Sequence, residues 1–418
     1  MKITFLFGAG AEGTGQIGMP FGNEFKKDMI LAKNVASFIK SINNSTKPIL
    51  TIREGTNIAY NSSGILYQTL AEMQETDPYA LDKLFDNDAD KNTAKDYLDY
   101  KLGSRKFEDV TKSKLQDDFA KLYSDFYKEI AKGTKSAQID AFLANAGIYS
   151  YLDGLFGYLR KPERYPKECA RVVKLYYSAL YSVLKSVYKR NFPTATDDVV
   201  VSALSSMDRE TLSKFIADQQ AAIIKDVCKK RIKTYYNCIG NLKEQCKARN
   251  ENIDISVINL NYTIFAERIV GINSENVAYL HGKLGLFEEL KSKRIAPLLE
   301  LDPTATVFPY LLVQSGVKPI ISPIQIEEFG KATNWMAASD VVVVLGYGVN
   351  SDDEHISNLL RWRISKNKKV VCFIYAQGEN EFENEKKRIQ TQLGASSHIE
   401  FKYTSDFESF IDNIGAGG

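Results

Sequence analysis

Five consecutive aliphatic residues, Val341-Val342-Val343-Val344-Leu345, stop at Gly346 and constrain the fold more than any other segment. A half-exposed strand alternates polar and apolar positions, so an unbroken run of this length suits a parallel strand covered on both faces. Residues 346–353 follow as a loop, 354–364 carry apolar positions at helical spacing, and 370–375 form a second buried run. Strand, helix and parallel strand make a βαβ unit. A helix at about 383–393 and a strand at 399–403 extend it.

Similar signals occur at the other end of the chain. Residues 3–7 are a short apolar run that stops at Gly8-Ala9-Gly10, a buried strand entering a loop, and a helix is expected at 23–31. Further strand-like runs lie at 255–260, 276–280 and 318–322. Between these ends the period changes. Val172, Val173, Tyr176, Tyr177, Leu180, Val183, Leu184 and Val187 recur every three to four positions, as do Leu212, Phe215, Ile216, Ile223 and Val227, leading on to Tyr235, Tyr236 and Ile239. The expected fold is therefore α/β, a Rossmann-like parallel sheet with a large α-helical insertion. The sheet domain takes residues 1–55 and 253–418, and the helical insertion takes 56–252.

Composition narrows the chemistry. The 418 residues carry 54 basic and 52 acidic side chains, a net charge of +2, so bulk electrostatics gives no reason to expect direct nucleic-acid binding. The five cysteines include no C-x-x-C pair, which excludes a cysteine zinc ribbon and fits a reducing cytoplasm. No targeting or membrane-spanning segment is expected. Only three histidines, His281, His355 and His398, can serve acid–base chemistry near neutral pH.

Gly8-Ala9-Gly10-Ala11-Glu12-Gly13 matches G-x-G-x-x-G after a strand, the pattern of a nucleotide-covering loop. The chain continues through Gly15, Gly18, Pro20 and Gly22, too rich in glycine and proline for helix, so a long loop with backbone N–H groups available to phosphate is expected. Three more segments end strands: Asn259-Leu260-Asn261-Tyr262-Thr263, Tyr279-Leu280-His281-Gly282 and Gly346-Tyr347-Gly348-Val349-Asn350-Ser351. Ligands of open α/β sheets bind at the carboxyl ends of the strands, so all four loops should share one crevice.

In this order the four segments resemble the sirtuin-like (SIR2) family over about residues 1–35 and 253–375. The resemblance implies NAD as substrate, bound by Gly8, Ala9, Gly10, Glu12, Pro20, Gly22, Gly346, Gly348 and Ser351, with Asn261 and His281 as the catalytic pair. Two departures distinguish the chain. It lacks the two C-x-x-C pairs of the zinc-dependent deacylases, and Thr263 stands where the Asn-x-Asp segment carries an acid. Both make it more similar to the SIR2-like NAD hydrolases of bacterial antiphage defence, some of which pair with a HerA-type ATPase. The resemblance thus implies an NAD+ glycohydrolase that depletes NAD+, with no metal, a homo-oligomer and possible pairing with such an ATPase. NAD-dependent protein deacylation, or a non-catalytic NAD or ADP-ribose sensor gating a partner, stay open as alternatives.

Other residues read more simply. Glu12 by default is an exposed loop acid, Ser351 and Asp352 cap the following helix, His355 and His398 are structural, and the lysine clusters at 229–231 and 386–388 are solvated helix faces.

Overall fold

The computed structural model describes residues 1–13, 15–19, 35–43, 64–132, 138, 159, 161–164, 166–230, 232–312, 322–349 and 353–415. The expected helix at 23–31 and residues 318–321 of an expected strand fall outside them. The chain divides into two compact units, one of Met1–Phe21, Ser41–Ser45 and Val183–Gly418, the other of Gly22–Lys40 and Thr46–Ser182.

The first unit is built on a six-stranded sheet. Its strands are β1 (Lys2–Phe7), β2 (Asp254–Asn259), β3 (Val277–Tyr279), β7 (Val341–Leu345), β8 (Lys369–Ile374) and β9 (Ile399–Tyr403), in the order β3-β2-β1-β7-β8-β9. All five pairings are parallel. Numbered within this sheet alone, the strands run 3-2-1-4-5-6, the order of a doubly wound dinucleotide-type sheet. The expected α/β, Rossmann-like architecture is therefore what the chain forms. β1 lies centrally, with Ile3 beside Ile255 on one side and Val341 on the other. Every residue of β7 is buried, which is why that strand needs five apolar side chains in succession.

Helices Pro323–Ala338, Glu354–Ser365 and Glu379–Leu393 cover this sheet through Met336, Ile356, Leu360 and Ile389, packed with Leu6, Val342, Val344 and Cys372. Each such side chain, fully buried, contributes about 1.5–3 kcal/mol. Ser322 and Gln325 close a reciprocal capping box at the first helix, with Pro323 in its first turn. Its other end is clamped by the fully buried Arg363, whose guanidinium donates to the carbonyls of Met336, Ser339 and Asp340 and to that of Lys369. The Met336 carbonyl, in the last turn of the helix, would otherwise lack an intrahelical partner.

The first unit also contains helices Asp197–Ser205, Arg209–Lys229, Tyr235–Ala248, Phe265–Val270 and Phe407–Gly415. A smaller antiparallel sheet, unanticipated in the sequence, joins β4 (Gly282–Glu289), β5 (Ile295–Pro297) and β6 (Val307–Leu311). Its first strand starts one residue after His281.

The second unit is helical in its described residues, with Gly64–Thr76, Ala80–Leu84, Asp88–Leu102 and Asp109–Lys132. Asn87 caps the third of these by accepting from the Asp90 amide at 2.8 Å, and Gly103 ends it in a left-handed conformation. Tyr97 stacks on Phe119 at 3.9 Å, both buried, and Tyr177 meets Phe38 edge-on. Here the aromatic stripes are core. Every described element between β1 and β2 is helical. No described helix is long and apolar enough to cross a membrane.

Candidate functional site

The strand order reverses direction between β1 and β7, and the loops leaving these neighbours are locked together. Gly8 donates its amide to the Leu345 carbonyl and Gly10 donates to Gly346, each at 2.9 Å. A Cβ on Gly8 would stand 2.5 Å from the Gly346 oxygen, and one on Gly346 would stand 2.1 Å from the Ala11 nitrogen. Glycine is needed here because two backbones touch.

The loop amides are therefore not all available to a ligand. Those of Ala11, Glu12 and Gly13 donate to the carbonyls of Gly8, Ala9 and Gly10, winding a 3-10 turn at Ala9–Ala11. The expectation of free N–H groups along this stretch is corrected accordingly: the glycines give close approach, and most of their donors serve the fold. Gly10 is exposed and Ala9 half-buried, so the loop meets solvent at that point. Gly348 offers its carbonyl to Arg388. Pro20, Gly22 and Ser351 fall outside the described residues.

On the other side of β1, the turn after β2 is set by Asn259, which accepts from the Asn261 amide at 3.1 Å and donates to the Thr263 carbonyl at 3.2 Å. This aims Asn261 across β1, where its Nδ2 donates to the Gly8 carbonyl at 3.1 Å. The catalytic candidate and the glycine loop thus come together, both at the carboxyl edge of the sheet.

Glu12 is fully buried, contrary to the expected exposed acid. Its Oε1 accepts from Thr263 Oγ1 at 2.6 Å and from the Tyr236 hydroxyl at 3.1 Å, while its buried Oε2 has no hydrogen-bond partner among the described residues. Thr263 replaces the motif's acid, and a carboxyl group from the glycine loop lies within hydrogen-bond reach of it. Loss of solvation pushes the Glu12 carboxyl up to about 7, against the two hydrogen bonds. Burial, reinforced by this carboxylate, also holds Tyr236 well above its ordinary value, so Tyr236 stays a donor.

A stability prediction follows from this sign. Glu12 binds its proton more tightly folded than unfolded, so the stabilisation is fully present below about pH 4.5 and is lost as pH rises to about 7. Glu288, also pushed up to about 7 by burial, adds a parallel slope. Denaturant unfolding followed by fluorescence, with both tryptophans, Trp335 and Trp362, in the first unit, is expected to show Glu12→Gln losing about 3 kcal/mol of the wild-type pH dependence. Parallel pH curves for the two proteins would show that Glu12 is not a buried, proton-holding acid.

His281 follows β3 and is buried. Its Nε2 lies 3.5 Å from Asp353 Oδ1 and 3.4 Å from His355 Nε2. Asp353 occupies the N-cap position of helix Glu354–Ser365 but makes no side-chain capping bond, and its carboxylate turns to the imidazole. His355, expected to be structural, faces His281. A histidine and a carboxylate two residues apart at a helix start were the available signal for this pair. His398 precedes β9, and its carbonyl accepts from the Val370 amide.

The sheet order and the meeting of Asn261, Glu12 and the two glycine loops define a doubly wound α/β protein with a polar centre at its topological switch point. No protein-family model and no curated protein matches the chain in sequence. Among solved structures it is similar in part to SIR2 in complex with the inhibitor EX-527, 2'-O-acetyl-ADP-ribose and a deacetylated p53 peptide, at 16% identity over 44% of this chain and 71% of that one, with a TM-score of 0.29. It is also similar to Sir2Tm bound to a propionylated peptide (14%, 49% and 81%, TM-score 0.28) and to a Sir2–p53 peptide–NAD+ structure (14%, 44% and 70%, TM-score 0.27).

Proposed function

We propose that the chain is an NAD+ glycohydrolase. The observation that carries this reading is the convergence, at the switch point of a dinucleotide-type sheet, of the glycine loop with Asn261, whose amide reaches the Gly8 carbonyl. His281 follows β3, the strand beside β2, on the same edge of the sheet.

Cleavage breaks the bond between the ribose anomeric carbon and the nicotinamide nitrogen. The bonding pair leaves with nicotinamide, which departs neutral, so no acid is needed on the leaving group. Water adds to the anomeric carbon and gives up one proton. The Asn261 side chain orients the water or a ribose hydroxyl through its carbonyl oxygen. His281 accepts the proton at Nε2, and the Asp353 carboxylate, 3.5 Å from that atom, stabilises the imidazolium charge that forms. Glu12 keeps Thr263 and Tyr236 fixed beneath Asn261.

The absence of C-x-x-C pairs favours hydrolysis over zinc-supported deacylation. An enzyme that depletes NAD+ suits an antiphage effector, held off until self-assembly or a HerA-type ATPase releases it. Incubation with NAD+ is expected to yield equimolar nicotinamide and ADP-ribose without peptide. Product formation only with an acyl-lysine peptide, as O-acyl-ADP-ribose, would replace the reading by deacylation. Binding of NAD+ without turnover would replace it by a sensor.

A further inference from the structure

Two imidazoles and a carboxylate meet around one point in the first unit. His281 Nε2 stands 3.4 Å from His355 Nε2 and 3.5 Å from Asp353 Oδ1. One ligand atom from each of the three lies within 4.8 Å of the others. His281 and Asp353 are each 2% exposed.

These spacings are long for hydrogen bonds, which favour about 2.9–3.0 Å between heavy atoms. They match the edges of a coordination tetrahedron: with metal–ligand bonds of about 2.0–2.2 Å, neighbouring donors stand about 3.3–3.5 Å apart. The third edge, Asp353 to His355, is at most 4.8 Å and must shorten when an ion binds. The local structure already prepares the ligands. Asp353 spends no side-chain bond on capping its helix, and the Phe329 ring packs edge-on against the half-buried His355 at 5.6 Å, which restricts the imidazole's orientation.

We propose that His281, Asp353 and His355 form a three-ligand site for a divalent transition-metal ion, zinc foremost. Two imidazoles with one carboxylate suit zinc and its neighbours, whereas magnesium and calcium prefer oxygen donors throughout. Three protein ligands leave a fourth position for water or a substrate oxygen. One consequence rests on the glycohydrolase reading: zinc on His281 Nε2 occupies the lone pair that would take the proton, so zinc inhibits NAD+ hydrolysis.

The full chain, stripped with a chelator, is titrated with Co2+ in the absence of NAD+. The expected result is one equivalent bound with the visible bands of a tetrahedral ion, no thiolate charge-transfer band, displacement by Zn2+ and no response to Mg2+. His281→Gln, Asp353→Asn and His355→Gln should each weaken binding by at least the roughly 10–100-fold that loss of a supporting group costs, and His398→Gln should not. Cobalt X-ray absorption on the wild type gives a check independent of how the variants fold: it should count two imidazoles. A first shell without imidazole, a sulfur shell from a site such as the exposed Cys228, or unchanged affinity in the three folded variants overturns the proposal. So does the absence of stoichiometric binding. Because binding is read without NAD+, a chain that takes up Co2+ but never cleaves NAD+ refutes the glycohydrolase alone. One that cleaves NAD+ but binds no Co2+ refutes the metal site alone.

Discussion

His281→Ala is expected to lower NAD+ turnover by about 10²–10⁴-fold, the range that a positioned general base contributes. The loss should appear equally in kcat and kcat/KM, because in the proposed mechanism the imidazole takes its proton only as the transition state forms and is not asked to hold NAD+ in the ground state. Measurements belong in chelator, so that metal at the same imidazole does not depress the wild-type rate. Circular dichroism of the variant should overlay the wild type, since the side chain ends a strand and supports no sheet pairing itself. Its backbone carbonyl, which alanine retains, accepts the Leu312 amide at the edge of the small sheet. Retention of wild-type kcat would remove His281 from the chemistry and shift attention to Glu12 and Asn261. A raised KM with kcat intact would make it a binding residue.

The sheet was legible because its physics is local. Covering β7 on both faces demands a continuous apolar run, and 341–345 is one; at its neighbour β1, residues 3–7 are apolar but for Thr4, which is buried with its hydroxyl hydrogen-bonded to that of Ser339. The glycine loop and the Asn261 segment could be recognised from residue type and from their position after strands. The small antiparallel sheet could not. β4 carries Gly282 and Gly285 and ends in Glu288 and Glu289, and β5 and β6 contain Pro297 and Pro309, all residues that weigh against strands until a neighbour is known. Glu12 reads as an exposed acid for a different reason. Its partners Thr263 and Tyr236 lie 251 and 224 residues along the chain, so nothing near it announces that it is buried. A separation of 74 residues likewise hid the meeting of His281 with His355, whose surroundings at the start of a charged helix read as structural. Local patterns specify elements, whereas a polar centre depends on which elements the topology brings together.

Gly346→Ala should destabilise the sheet unit by about 3 kcal/mol or more. The residue has a φ of +63, and an added Cβ would lie 2.1 Å from the Ala11 nitrogen, 2.5 Å from the Gly10 carbonyl carbon and 2.9 Å from Gly10 Cα. A left-handed conformation costs an L-residue about 1–2 kcal/mol. Over-packing costs about 1–3 kcal/mol more, and backbone atoms cannot swing aside as a flexible side chain can. Gly15→Ala separates the two contributions, since Gly15 has a φ of +85 with nothing within 4 Å of its would-be Cβ; it should lose only the conformational part. Tryptophan fluorescence during denaturant unfolding measures both variants on the sheet unit. The excess loss in Gly346→Ala is the clash between the β1 and β7 loops. The same push parts the hydrogen bonds that Gly8 and Gly10 donate to Leu345 and Gly346, and it moves the Gly8 carbonyl away from Asn261. NAD+ affinity should therefore fall in Gly346→Ala and stay near wild type in Gly15→Ala. If the two variants lose equal stability, the loops yield freely, and the interlock at the switch point cannot be what holds Asn261 against the glycine loop.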